Sequence, residues 1–151
     1  MSLTTVLDVR VFGLPVPQGR PRARAFQVGG ATRVQVYDPE ASRDWKRTVA
    51  AQVLPHKPEA PVAEAPLEVR LLFHLPRPQS LPKRVRHHIR KPDIDNLAKA
   101  VKDALRGIVY RDDSQVVDLH VRKVYGTSPG VEIRVDHVLE APLPVQAELR
   151  S

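Results

Sequence analysis

The chain has 151 residues, 42% hydrophobic but only 5% aromatic, so its length and composition predict one domain whose core is built of aliphatic layers. The lack of cysteine excludes disulfides, thiolate metal sites and a cysteine nucleophile, and no segment approaches the roughly 18 to 20 apolar residues of a membrane span. Twenty-four Lys and Arg against seventeen Asp and Glu give a net charge of +7, which favours a polyanionic partner and equally suits a merely soluble basic protein.

The start, MSLTTVLDVRVF, lacks the basic head and small-residue cleavage site of a secretory signal, so a soluble, cytoplasmic protein is expected. Val6 to Gly13 alternates apolar and polar and predicts a strand with one buried face. Pro15, Pro17, Gly19 and Pro21 then predict a stiffened loop in place of a long ladder, with Arg20, Arg22 and Arg24 on or beside it. Thr32 to Tyr37 follows the Gly29-Gly30 turn as a second strand. A helix is expected next, with Asp38 as cap, Pro39 at its first position, Glu40 in its first turn, and Ala41, Trp45, Val49 and Leu54 on its apolar side.

After a proline-bearing connection from His56 to Pro66, Leu67 to Leu75 predicts a central strand. Residues 76 to 92 predict an exposed basic loop. In the helix beyond it, Ile94, Leu97, Ala98, Val101, Ala104, Leu105 and Ile108 gather on one side, with Asp95, Lys99, Lys102 and Arg106 opposite. Gly107 marks its end, Gln115 to Tyr125 reads as a long strand, and GVEIRVDHV is expected to pair with it across Gly126 to Gly130. The sum is an α+β fold, one compact domain over 1–151 with a mixed sheet and about two helices packed on it, and 139–151 as a tail or edge segment.

Two acidic pairs flank the second helix. Asp93 and Asp95 stand at its start, where backbone dipoles favour negative charge, and Asp112 and Asp113 lie in the turn beyond it. If the strand after that turn lies beside the helix, one of the second pair can face the first. Gathered carboxylates repel unless a hard cation such as Mg²⁺ or Mn²⁺ joins them, and such cations commonly link protein carboxylates to phosphate. Yet Asp93 is also a good cap, Asp95 suits a first turn, and Asp112-Asp113-Ser114 suits a turn, so pattern alone leaves both readings open. Lys99, four residues after Asp95, suits either an i,i+4 ion pair or a transition-state phosphate. Asn96 can steady a carboxylate or the helix start. Asp103 is expected to be a salt-bridging surface residue, and no two histidines have metal-ligand spacing.

Lys83, Arg84, Arg86, Arg90 and Lys91 directly precede this helix, and with Lys102 they form a candidate rim for a phosphate backbone, or a solvated basic loop. Arg20, Arg22 and Arg24 offer a second rim or a soluble turn.

Three ordered segments, GLPVPQGRPRARAF, KPDIDNLAKAVKDAL and YRDDSQVVDLHVRK, together resemble the RusA family of Holliday junction resolvases, small endonucleases of bacteria and their prophages. DxDNLxK followed by DD-Q-V before a strand is the specific part. The resemblance implies a homodimeric, divalent-metal-dependent enzyme that cuts four-way DNA junctions by paired symmetric cuts. It implies Asp93, Asp95 and Asp113 as metal-binding catalytic carboxylates, Asp112 as their near neighbour and Lys99 as the catalytic lysine, with the arginine-rich and Lys83–Lys91 segments on the DNA backbones. The chain has few aromatic residues for stacking opened bases, so it points to no cut-site preference. Rival readings are a structure-selective nuclease for flaps, forks or RNA, and a noncatalytic nucleic-acid-binding protein.

Overall fold

The most apolar strand takes the centre. In β4 (Leu67–Leu75), Leu67, Val69, Leu71, Phe73 and Leu75 all face the core and are buried, while Glu68, Arg70, Leu72 and His74 face the other way. One of its edges carries β5 (Val116–Tyr125), which runs parallel to it. The other carries β6 (Gly130–His137), antiparallel, and β1 (Thr5–Phe12) pairs with β6, giving the order β1-β6-β4-β5. The computed structural model describes residues 4–20, 22–37 and 39–139, without the side chains of Arg22 and Tyr37; Asp38 and most of the expected tail, 140–151, lie outside the described residues.

Both helices cover one face of the sheet. Helix α1 (Glu40–Val53) buries Ser42, Trp45, Val49 and Val53, a spacing of three, four and four residues. Leu54, expected on that side, is half exposed because the helical stripe falls on Val53 instead, and Pro39 stands at the N-cap rather than inside the first turn. Helix α2 (Ile94–Leu105) buries Leu97, Ala98, Ala100, Val101, Ala104 and Leu105. Leu97 is fully enclosed, so Leu97→Ala should lower stability by about 2–5 kcal/mol, measured as a fall in the urea midpoint at unchanged slope.

The expected pairing of the last two strands is corrected. Alternation told which residues of β5 and β6 face inward, but not which strands are neighbours. Strand β4 lies between them, since two ladders satisfy both edges of this most buried strand and α2 supplies the crossover that a parallel β4–β5 pair requires. The link from β5 to β6 passes over the end of β4, where the Gly126 N–H donates to the Leu75 carbonyl at 2.8 Å. A Cβ on Gly126 would lie 2.9 Å from that of His74, so the crossing needs glycine.

A second correction concerns Arg22 and Arg24, which sit in a strand rather than a loop. Strands β2 (Arg22–Val28) and β3 (Ala31–Tyr37) form an exposed two-stranded ribbon turning at Gly29-Gly30, both with positive φ. The prolines that argued against a ladder all precede Arg22, where they remove no ladder donor. Among the described residues no helix is long and apolar enough to cross a membrane.

Candidate active site

The polar face of α2 meets the turn that leads into β5. Gly107, at φ 83°, ends the helix, and the chain folds back so that Tyr110 is fully buried, its hydroxyl donating to the Lys102 carbonyl at 2.9 Å. Gln115 holds the next turn in place. Its side-chain oxygen accepts from the Arg111 and Asp112 N–H groups at 2.9 Å each, and its amide donates to the Val62 and Ala65 carbonyls at 3.0 and 3.2 Å. Asp112 and Gln115 complete a capping box around the 3-10 turn Asp113–Gln115. This scaffold sets Asp113 against α2.

The result is a cleft of about 520 Å³ lined by Asp95, Lys99, Lys102, Asp103 and Asp113, with Leu119 and Val121 of β5 among its apolar lining. Asp95 belongs to the first turn of α2 and Asp103 to the last, so these two acids are spread over roughly 12 Å of helix. Asp103 also bonds Lys46 of α1 at 3.4 Å, the surface role expected of it. Among the described residues no ion pair within 4.0 Å joins Lys99 to Asp95, which leaves the expected i,i+4 role unfilled. One oxygen of Asp113, Oδ1, is buried without a hydrogen-bond partner. Burial first, then the negative charge of Asp113, pushes the Tyr110 hydroxyl well above its ordinary value, so the group beside this carboxylate stays protonated.

Other predicted residues stand apart from the cleft. Asp93 occupies the N-cap position of α2 without a capping hydrogen bond, and both its oxygens accept from the Lys91 ammonium at 2.9 Å. Asp112 is exposed and accepts from the Ser114 hydroxyl at 2.6 Å; that bond is the leading cause holding its carboxyl below the usual range. Asn96 is half-buried, and its carbonyl accepts from the Gln18 N–H at 2.9 Å, tying the proline segment to α2.

Of the predicted cationic residues with described side chains, all but the half-buried Lys102 are exposed. Lys83, Arg84, Arg86, Arg90 and Lys91 are all exposed on the loop before α2, as are Arg20 and Arg24, the latter donating to Gln35 on the neighbouring strand at 3.1 Å. Arg77 donates to the carbonyls of Pro82 and Val85 and so shapes the loop. Lys123 donates to the carbonyls of Arg90 and Pro92 at 2.8 and 2.9 Å, anchoring the loop where α2 begins. Tyr110, Gln115 and Lys123 are positioning residues that sequence reasoning passed over. The signals were there: Asp112-x-x-Gln115 is a capping-box pattern, and Lys123 is a lone cation on the inward parity of its strand.

Burial, then the charge of Lys123, lowers the affinity of His88 for a proton, against a smaller opposing effect of hydrogen bonding to the backbone at His88 and Arg90. A ring whose folded value is depressed is protonated more readily in the unfolded chain. Its contribution to stability should therefore be present at neutral pH and decline as pH falls from the ordinary histidine value through the folded one. An NMR titration should give His88 a midpoint below the ordinary histidine value.

A separate trio, Glu68, Asp118 and His120, brings possible ligand atoms within 4.8 Å of one another on the solvent face of the sheet, away from the helices. Arg70 already holds Glu68 at 2.7 Å, and His120 lies 3.0 Å from Asp118. The carboxylates of the cleft are not drawn into so tight a group.

An α+β domain with an acidic cleft beside a cationic loop has the parts of a phosphodiester-cleaving protein. Comparison with known families identifies the group: the family model described as Endodeoxyribonuclease RusA matches residues 13–136, and the chain belongs to that family of nucleases. It is also 38% identical over 138 residues to "Uncharacterized protein YqaN" of Bacillus subtilis (strain 168), covering 85% of this chain and 94% of that one.

Proposed function

We propose that this chain is a divalent-metal-dependent endodeoxyribonuclease that resolves four-way DNA junctions by paired symmetric cuts, acting as a homodimer. The observation that carries the reading is the cleft shared by Asp95, Lys99 and Asp113, with a buried Asp113 oxygen lacking a partner. A donor set made only of carboxylates suits a hard cation such as Mg²⁺, with Mn²⁺ as substitute, and an oxygen stripped of water and of hydrogen bonds is a ligand atom in waiting. Asp95 and Asp113 are the first ligands of this proposal. Asp93 is the third, in exchange for its pairing with exposed Lys91, and Asp112 is a flanking charge.

When bound, the cation would orient a water and stabilise charge developing on the phosphate oxygens. Lys99 presents its ammonium from the same helix face toward the phosphate or the leaving oxygen, Lys102 adds positive charge along the cleft, and Asn96 holds the entering chain through its carbonyl. The exposed loop cations and the arginines of the ribbon grip the backbones without reading bases. Water adds across one P–O bond per strand, leaving a phosphomonoester and a hydroxyl. Two cuts related by the two-fold symmetry of a junction are most simply made by two copies of one site, which is the basis for the dimer.

The test is a substrate panel: labelled junctions, linear duplexes, forks, flaps and matched RNA, with and without Mg²⁺, at about 0.15 M salt so that exposed charges are screened beyond ~8 Å. Metal-dependent cutting of junctions over the other substrates is expected. Equal cutting of forks or RNA would shift the reading to a less selective nuclease, and binding without any cutting would remove catalysis. Sedimentation at the concentration that cuts should show a dimer.

A further inference from the structure

A second concavity, of about 440 Å³, lies at the starting end of α2 and is lined chiefly by Pro15, Val16, Pro17, Pro92, His88 and Tyr125. Its size falls in the usual range for small-molecule sites, roughly 300–1,000 Å³. The rings of His88 and Tyr125 lie 4.8 Å apart, and the Arg77 guanidinium stands 5.2 Å from the Tyr125 ring. Two exposed cations, Arg90 and Lys91, complete the lining. Within this apolar setting the His88 Nδ1 atom is buried and has no hydrogen-bond partner.

The groove is held open by the backbone. The Gln18 N–H binds the Asn96 carbonyl on one side, Lys123 binds the Arg90 and Pro92 carbonyls on another, and the Gly126 N–H binds Leu75. A groove held in this way loses little entropy on binding.

These features together select an occupant. An aliphatic ligand would leave Nδ1 unmade and ignore Arg90 and Lys91, whereas a free phosphate would leave the proline and aromatic lining unused. A nucleotide meets all three: a flat aromatic body, a polar edge within it and an attached anion. Lys91 and Pro92 lead straight into Asp93, Ile94 and Asp95, so the groove and the acidic cleft draw lining residues from the same end of α2. We propose, resting on the nuclease reading above, that this groove seats one unstacked nucleobase of the DNA beside the cut and is the source of base preference there. Bases at a branch point are the cheapest to unstack.

The experiment places 2-aminopurine, whose emission reports what it stacks on, at each position around the branch of a junction bound in EDTA. On the wild type the emission of one position should change as that base leaves its neighbours for the Tyr125 and His88 rings. Leu14→Trp, which adds bulk to an exposed lining residue, and His88→Ala should each abolish the change and weaken junction binding about tenfold, the scale of one lost stacking contact. A wild type that binds the junction while every position keeps the emission of the free junction overturns the groove but leaves the nuclease reading standing. A change that survives in both folded variants overturns it as well. A wild type that neither binds nor cuts junctions defeats both.

Discussion

Asp113→Asn and Asp95→Asn should each fold as the wild type does and cleave DNA at least about 10²–10³-fold more slowly, the scale on which loss of one preorganised electrostatic partner is felt. Asparagine keeps the size and one oxygen of aspartate, so the turn at Asp113–Gln115 and the first turn of α2 should survive. Asp95 is exposed, the buried Oδ1 of Asp113 has no hydrogen-bond partner to lose, and asparagine keeps an oxygen for the Tyr110 hydroxyl beside it. What the change removes is the negative charge. If the carboxylates hold a cation, Mn²⁺ binding measured by calorimetry should weaken along with cleavage in both variants. If Asp113 only shapes its turn, as its local sequence also allows, stability would change and Mn²⁺ binding and cleavage would not. Asp112→Asn separates the two further. Its carboxylate serves Ser114 and the capping box, so that variant should mainly loosen the turn, visible as a lower unfolding temperature with most cleavage retained.

Lys99→Ala should cost about 10²–10³-fold in cleavage with little loss of junction affinity. The residue lies on the exposed side of α2, and alanine is the better helix former, so the fold loses nothing. Among the described residues its ammonium forms no ion pair with Asp95 within 4.0 Å, so the substitution breaks no such contact. A role in the transition state lowers the rate at saturating DNA, whereas a role in holding DNA raises the concentration needed and leaves the saturated rate alone. Lys99→Arg keeps the charge in a wider, planar group and should recover part of the rate. Full activity in a folded Lys99→Ala protein would end the catalytic role.

Much of this was legible in the sequence because it depends on period. The strands β1, β4, β5 and β6 and the two helices can be read from spacing alone, and the 100° advance per residue put Asp95, Lys99 and Lys102 on one face away from the core. Strand order was not legible. Alternation of period two marks faces, and every strand of a one-sided sheet has the same pattern whoever its neighbour is. The Glu68, Asp118 and His120 trio was hidden for the same reason, since it exists only because β4 and β5 are adjacent. The meeting of Asp113 with α2 needed tertiary facts: a glycine at positive φ, a buried tyrosine and a glutamine bonded four ways. Which partner Asp93 takes was equally unreadable, because its pairing with Lys91 depends on how the chain turns before α2 and not on spacing.

The most direct measurement maps the cuts themselves. A junction with a fixed branch point, labelled on each of its four strands in turn, is incubated with wild type and with Asp95→Asn in Mg²⁺ and in EDTA. Nicks are expected at symmetry-related positions in two opposing strands, made by the wild type only with metal and lost in Asp95→Asn. Strands left whole by a folded, metal-supplied protein that binds the junction, or cuts undiminished in Asp95→Asn, would contradict a metal-dependent resolvase built on this cleft.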